Sequence, residues 1–157
     1  NGKAQIGVAA VQHLPDSIEA TLLTTVGQVA VIPSSHRLAK KRQLKLSDLS
    51  NQNLILPPKN RPHRIAIESR FREQDIPFSV SVEATGWELI LHFVSLGMGW
   101  AIVNSCCRIP SGYIAIPIPE LESINYYILE RTTRWRRKSV DALKEHLLEY
   151  RDAWQVE

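Results

Sequence analysis

Hydrophobic positions fall along this chain in short groups whose period changes from one group to the next. Residues 4–9 (Ala-Gln-Ile-Gly-Val-Ala) form an apolar run that predicts a buried strand. Gln28 to Pro33, Asn53 to Leu56 and Trp100 to Val103 predict three more. Each is too short for a helix and nearly uninterrupted, as in strands covered on both faces. Phe78, Val80 and Val82 alternate with Ser79, Ser81 and Glu83, the period of a half-buried strand. Ile114 to Ile118 and Tyr126 to Leu129 predict two further strands. Residues 18–24 are mixed and predict no element, and Leu44, Leu46 and Leu49 around Ser47-Asp48 predict a single helical turn.

Three segments carry the helical period. His63 to Gln74 predicts a helix with Ile65, Ala66 and Phe71 on its inner face. Thr85 and Glu88 have the spacing of a capping box, in which each side chain satisfies an amide at a helix start. Trp87, Ile90, Leu91, Phe93 and Val94 follow at helical spacing, and Gly97 stands where a left-handed C-cap is wanted. Val140, Leu143, Leu147, Tyr150 and Trp154 form one apolar stripe, with Ser139 as N-cap. The predicted order is β-β-β-α-β-α-β-β-β-α. Its alternating middle predicts an α/β fold with a mostly parallel sheet and helices on both faces.

Composition adds limits. The 157 residues suffice for one domain or two small lobes. A hydrophobic content of 44% and a charged content of 22% are ordinary for a soluble globular protein. No window approaches 18 uninterrupted apolar residues, so no membrane partner is expected. The chain opens on Asn1 rather than Met, with no signal-peptide pattern, and is expected to be part of something longer. A net charge of +3 neither demands nor excludes an anionic partner. The two cysteines, Cys106 and Cys107, are adjacent and fit no zinc spacing. They read as reduced thiols in a cytoplasmic protein; a redox sensor would want a low-pKa thiolate and a resolving partner.

Candidate chemistry is sparse. His13, His36, His63, His92 and His146 lack metal-ligand spacing, and no phosphate loop or nucleophile elbow is present. Neither an enzyme nor a cofactor is therefore expected. The loop Pro57 to His63 is stiffened by three prolines, and Lys59, Arg61 and Arg64 put positive charge beside a helix start. Free amides and the helix dipole there favour an anion, although the same cations could simply face solvent. If the strands at 53–57 and 78–83 are parallel neighbours, the Thr85 helix start opens onto the same crevice. Two such starts with a Lys or Arg suit a carboxylate. Residues 131–138 hold five cations and a tryptophan, which fits a nucleic-acid patch or, better, a solvated loop.

Several segments, in order, resemble the C-terminal effector-binding region of a LysR-type transcriptional regulator. Val29-Ala-Val-Ile-Pro-Ser-Ser-His-Arg-Leu-Ala39 resembles that family's strand and "His-Pro-Leu-Ala" loop. Leu44-Lys-Leu-Ser-Asp-Leu49 with Leu54-Ile-Leu resembles its "sL-x-dL … fI" segment, and Ile6-Gly-Val the end of its "G-x-l-D-x-g-i" strand. Phe93-Val-Ser-Leu-Gly-Met-Gly-Trp-Ala-Ile-Val103 resembles its "lVaaGlGiaivP". Arg37 and Asn104 stand where the family commonly has proline, and Gln5 where it has aspartate.

The resemblance implies a fold like type 2 periplasmic binding proteins: two α/β lobes with a ligand cleft between them, the first lobe incomplete. Lobe I would comprise 1–31 and 113–157, and lobe II 32–112. By position, the effector would meet Val8, Ala10 and Val11 from lobe I. From lobe II it would meet Pro57, Pro58, Lys59, Asn60, Arg61, Thr85, Gly86, Trp87 and Asn104. The implied partner is a small effector, a carboxylate by the charge argument. The implied setting is a bacterial cytoplasmic regulator assembling as a homodimer or homotetramer. DNA would be met only through a winged helix absent from this chain. A fragment of a periplasmic solute-binding protein is the alternative.

Overall fold

The apolar runs become strands that pair in two separate sheets. A computed structural model describes residues 4–11, 13–132 and 138–154. Its eight strands are β1 (Ile6–Ala10), β2 (Ile18–Val26), β3 (Gln28–Pro33), β4 (Asn53–Leu56), β5 (Ser79–Glu83), β6 (Trp100–Asn104), β7 (Tyr113–Pro117) and β8 (Ile124–Arg131). The helices are α1 (Pro62–Glu73), α2 (Trp87–Ser95) and α3 (Lys138–Glu149). Short 3-10 turns cover Arg37–Lys40, Leu46–Leu49 and Arg151–Trp154. Strand β2 has no counterpart in the expected order. Its face alternates irregularly because a bulge between Leu22 and Thr24 shifts the register on β8, which hides the period of two.

The chain divides into two units, 27–122 and the pair of segments 1–26 with 123–157. The lobe boundaries expected at 31 and 113 fall elsewhere: β3 and β7 hydrogen-bond to each other and β3 also to β6, so all three lie in the 27–122 unit.

That unit holds a five-stranded sheet in the order β5-β4-β6-β3-β7. Strand β4 runs parallel to β5 and β6, whereas β3 runs antiparallel to β6 and β7. The sheet is therefore mixed rather than mostly parallel. Parallelism is confined to the three strands joined by α1 and α2, since a helical crossover returns the chain to the same end. Both faces are covered. Ala30, Ile32, Leu54, Leu56 and Ile102 pack on Ile67 and Phe71 of α1, while Val29, Val31, Ile55, Ala101 and Val103 pack on Ile90, Leu91 and Val94 of α2. Two-sided cover is why these strands read as continuous apolar runs.

Two helix expectations shift. In α1 the buried residues are Arg64, Ile67 and Phe71, while Ile65 is 55% exposed and Ala66 is exposed. The inner row follows the 3–4 spacing from Arg64, an arginine that hydropathy alone assigns to solvent. In α2 the N-cap is Gly86 at φ 91°, with no side-chain cap bond, so Thr85 and Glu88 form no capping box. The positive φ of Gly86 turns the chain one residue later than a Thr85 cap would. The C-terminus of α2 is as expected: Gly97 (φ 75°) donates to Val94 O and Met98 to Phe93 O, a Schellman closure.

The other unit carries the antiparallel sheet β1-β8-β2. Lys144 of α3 pairs with buried Glu130 of β8. Helix α3 is already helical at Lys138, which puts Ser139 inside it rather than at the cap. Its apolar stripe is only part-covered: Val140 and Leu147 are half-buried, Leu143 and Tyr150 exposed. The side chain of Trp154, and residues 133–137 of the basic tract, lie outside the described part. Among the described residues no helix is long and apolar enough to cross a membrane.

Candidate functional site

Parallel strands that feed helices deliver those helix starts to one edge of a sheet. Here β4 leads through Pro57–Arg61 into α1, and β5 leads through Ala84-Thr85-Gly86 into α2. The strands pair with Leu56 opposite Glu83, and Ala84 N donates to Leu56 O at 3.1 Å, which extends the ladder to the brink of both loops. The two helix starts meet: the His63 ring stands edge-on to Trp87, centroids 5.1 Å apart. Asn104, the last residue of β6, is buried. Pro57–Arg61, Thr85–Trp87 and Asn104 thus lie at the C-terminal ends of three neighbouring parallel strands.

The loop is built for presentation. Pro57 is buried, Pro58 half-buried, and Lys59, Asn60 and Arg61 exposed. Arg61 N donates to Pro58 O at 3.0 Å, closing a turn, and Pro62 at the first helical position has no N–H to satisfy. The amides of His63 and Arg64 remain without an intrahelical acceptor by the geometry of a helix start. No acidic side chain occupies the first turn of α1, whereas Glu88 sits in that of α2 and already answers its dipole. Of the two starts, α1 is therefore the better receiver of an anion.

Electrostatics separate the three cations of this region. Arg64 is 1% exposed and fully engaged: it binds Glu68 at 2.6 Å and Pro57 O at 2.9 Å, and lies 3.7 Å from Glu83. It is not available to a ligand. Lys59 lines a concavity of about 400 Å³ together with Arg64, Glu68, Arg72 and Glu83. Arg61, exposed at the cap of α1, has no carboxylate partner among the described contacts. His63 was not among the sequence-derived site residues; burial pushes its pKa below the usual imidazole range, opposed only in part by the Ile102 backbone, and its buried Nε2 has no hydrogen-bond partner among the described residues. The sequence signal for it was only its place after Pro62.

Val8 and Ala10 lie exposed on β1 of the other unit, opposite Ile128 and Tyr126, and Val11 follows half-buried. Cys106 and Cys107 lie in the turn that follows β6. Burial raises both thiols, Cys107 to about 12, the reverse of what a reactive thiolate needs. Among the described residues no cluster of three or more His, Cys, Asp or Glu is placed to hold a metal.

Comparison with known proteins adds a family. The model of the LysR substrate binding domain matches residues 1–152. The transcriptional activator protein LysR of Escherichia coli K12 is 27% identical over 99 residues, covering 63% of this chain and 32% of that protein. A putative LysR family transcriptional regulator from Pseudomonas aeruginosa superposes with a TM-score of 0.80 at 20% identity, over 94% of this chain and 54% of its own. The BenM effector binding domain, solved with its effector benzoate, superposes at 0.75 with 18% identity, over 99% of this chain and 73% of its own. At these identities the superpositions show the fold: that of LysR effector-binding domains, like type 2 periplasmic binding proteins. The chain spans about a third of the E. coli regulator it matches.

Proposed function

The chain belongs to the LysR substrate-binding domain family, and from that premise we propose that it senses a small carboxylate and passes its occupancy to transcription. The observation that carries the anion reading is the start of α1. It joins stiff proline backbone, amides without intrahelical acceptors, exposed Lys59 and Arg61, and no first-turn acid, with the start of α2 in ring contact. Benzoate, the carboxylate held by the BenM domain, has the same charge character.

Pro57, Pro58, Lys59, Asn60, Arg61, Thr85, Gly86, Trp87 and Asn104 are the proposed contacts in the 27–122 unit. Val8, Ala10 and Val11 are proposed from the family resemblance alone. The role is that of a binding module rather than an enzyme. Sensing requires only that the effector bind one arrangement of the regulator better than another. In a whole regulator, DNA contact would fall to a winged helix elsewhere in the protein and assembly to a homodimer or homotetramer, in the cytoplasm.

A thermal-shift screen tests the reading. At a hundredfold excess over Kd, a bound carboxylate raises the Tm by roughly 5–10 °C, and the Lys59→Ala/Arg61→Ala double variant loses that rise. A screen in which only cationic or neutral compounds stabilise the chain overturns the anion assignment.

A further inference from the structure

The largest fully buried side chain in the described structure is a charged one, Arg64. Two physical costs attach to its place. A guanidinium removed from water loses its hydration, and a buried ion pair commonly stabilises no better than an apolar replacement. As the third residue of α1, it also faces the positive end of the helix dipole. Packing alone favours a leucine or methionine there. What only the planar fork supplies is a set of directed bonds.

Those bonds reach the loops before both helix starts. One edge of the guanidinium binds Glu68, a turn further along α1, which is itself held by Arg72. The other edge, Nη1, donates to the carbonyl of Pro57, the first residue of the loop into α1, at 2.9 Å. The same Nη1 lies 3.7 Å from Glu83, the last residue of β5 before the turn into α2. One side chain therefore touches α1, the exit of β4 and the exit of β5.

We propose that Arg64 is the positioning residue of the anion site: it holds the Pro57–Arg61 loop and the Glu83–Gly86 turn in the register that presents their helix starts together. The inference rests on the anion-site reading. It has an electrostatic side as well. Glu68 and Glu83 share a concavity with Lys59. With the guanidinium gone, Glu83 loses its cationic neighbour and Glu68 keeps only Arg72, so the freed carboxylate charge draws that ammonium away from an anion.

Hydrogen exchange on the whole chain, without ligand, tests the positioning. In Arg64→Met, amides of 59–61 and 84–87 should exchange roughly tenfold faster, while those of β3 and β6 keep their protection. Trypsin should cut faster after Lys59. Arg64→Lys, which keeps charge but not the fork, should fall between. Glu83→Gln should loosen 84–87 alone. Unchanged loop exchange, or equal loosening of β3 and β6, overturns the proposal. If Arg64→Met does not fold, Arg64→Lys and Glu83→Gln decide, and wild-type exchange at both loops in both variants overturns it. The benzoate thermal shift of the wild-type chain is read separately, so failure of the anion reading is distinguishable from failure of the positioning role.

Discussion

His63 is the residue through which acidity should act on this protein. Its ring is enclosed between the two helix starts, and burial holds its folded pKa below the ordinary value near 6.5. Below that value the unfolded chain gains a proton that the folded chain resists. The stability this site contributes is thus present above the ordinary imidazole range and lost as pH falls through it toward the folded pKa. Urea midpoints for the wild type should fall between pH 7.5 and 5.5, and less so for His63→Gln; an equal fall in both assigns the effect to other groups. Two neighbours separate capping from backbone conformation. Thr85→Ala should change stability by less than about 0.5 kcal/mol, since Thr85 makes no cap bond. Gly86→Ala should cost about 1–2 kcal/mol, because an L-residue is strained at φ 91°. A loss larger for Thr85→Ala than for Gly86→Ala would restore the capping box. Part of the candidate site's exposure was legible at this scale: Lys59 and Arg61 stand in solvent on the loop, as its chemistry predicts. Arg64 was not, because its burial depends on Glu68, Glu83 and a carbonyl contributed by three different elements.

At the scale of elements, the turn between α2 and β6 shows how two glycines separated only by Met98 differ in kind. Gly97 (φ 75°) closes α2 with open space around its Cα, so a side chain there meets only backbone strain. Gly99 (φ 155°) passes so near β4 that an added Cβ would lie 2.4 Å from Asn53 O. Gly97→Ala should cost about 1–2 kcal/mol, and Gly99→Ala roughly 2–4 kcal/mol from strain and overpacking together, read from urea unfolding. Equal losses would mean that β6 can shift away from β4. The pattern of the chain supplied these elements well: β3 and β4 were bounded to the residue, and β5 and β6 to within one. It missed β2, whose bulge breaks the alternation, and in α1 it placed Phe71 rightly but chose Ile65 and Ala66 over Arg64 and Ile67, because a buried ion pair carries no hydropathy signal.

For the molecule as a whole, the 27–122 unit is one unbroken segment with a core on each face of its sheet, whereas the other unit is assembled from both chain ends. The ends of the unbroken segment are joined: Gln28 Nε2 donates to Glu122 O at 2.8 Å. Residues 27–122 expressed alone should therefore fold cooperatively, with Trp100 buried as in the full chain. A non-cooperative unfolding curve followed by tryptophan fluorescence would show that this unit depends on the other.

The sequence by itself determined the class of fold, most strand and helix positions, the glycine closure of α2 and the family, because these follow from local period, local backbone preference and ordered motifs. Tertiary structure alone decided which sheet each strand joins, that β3 and β7 belong with the 27–122 unit, that His63 meets Trp87, and that Arg64 is held inside rather than offered to a ligand. Each of these depends on groups far apart in the chain, and strand pairing, ring contact and ion pairing across such distances leave no periodic mark on the residues between them. The alternation of apolar and polar positions says that a segment has a buried face; only the fold says what that face is buried against.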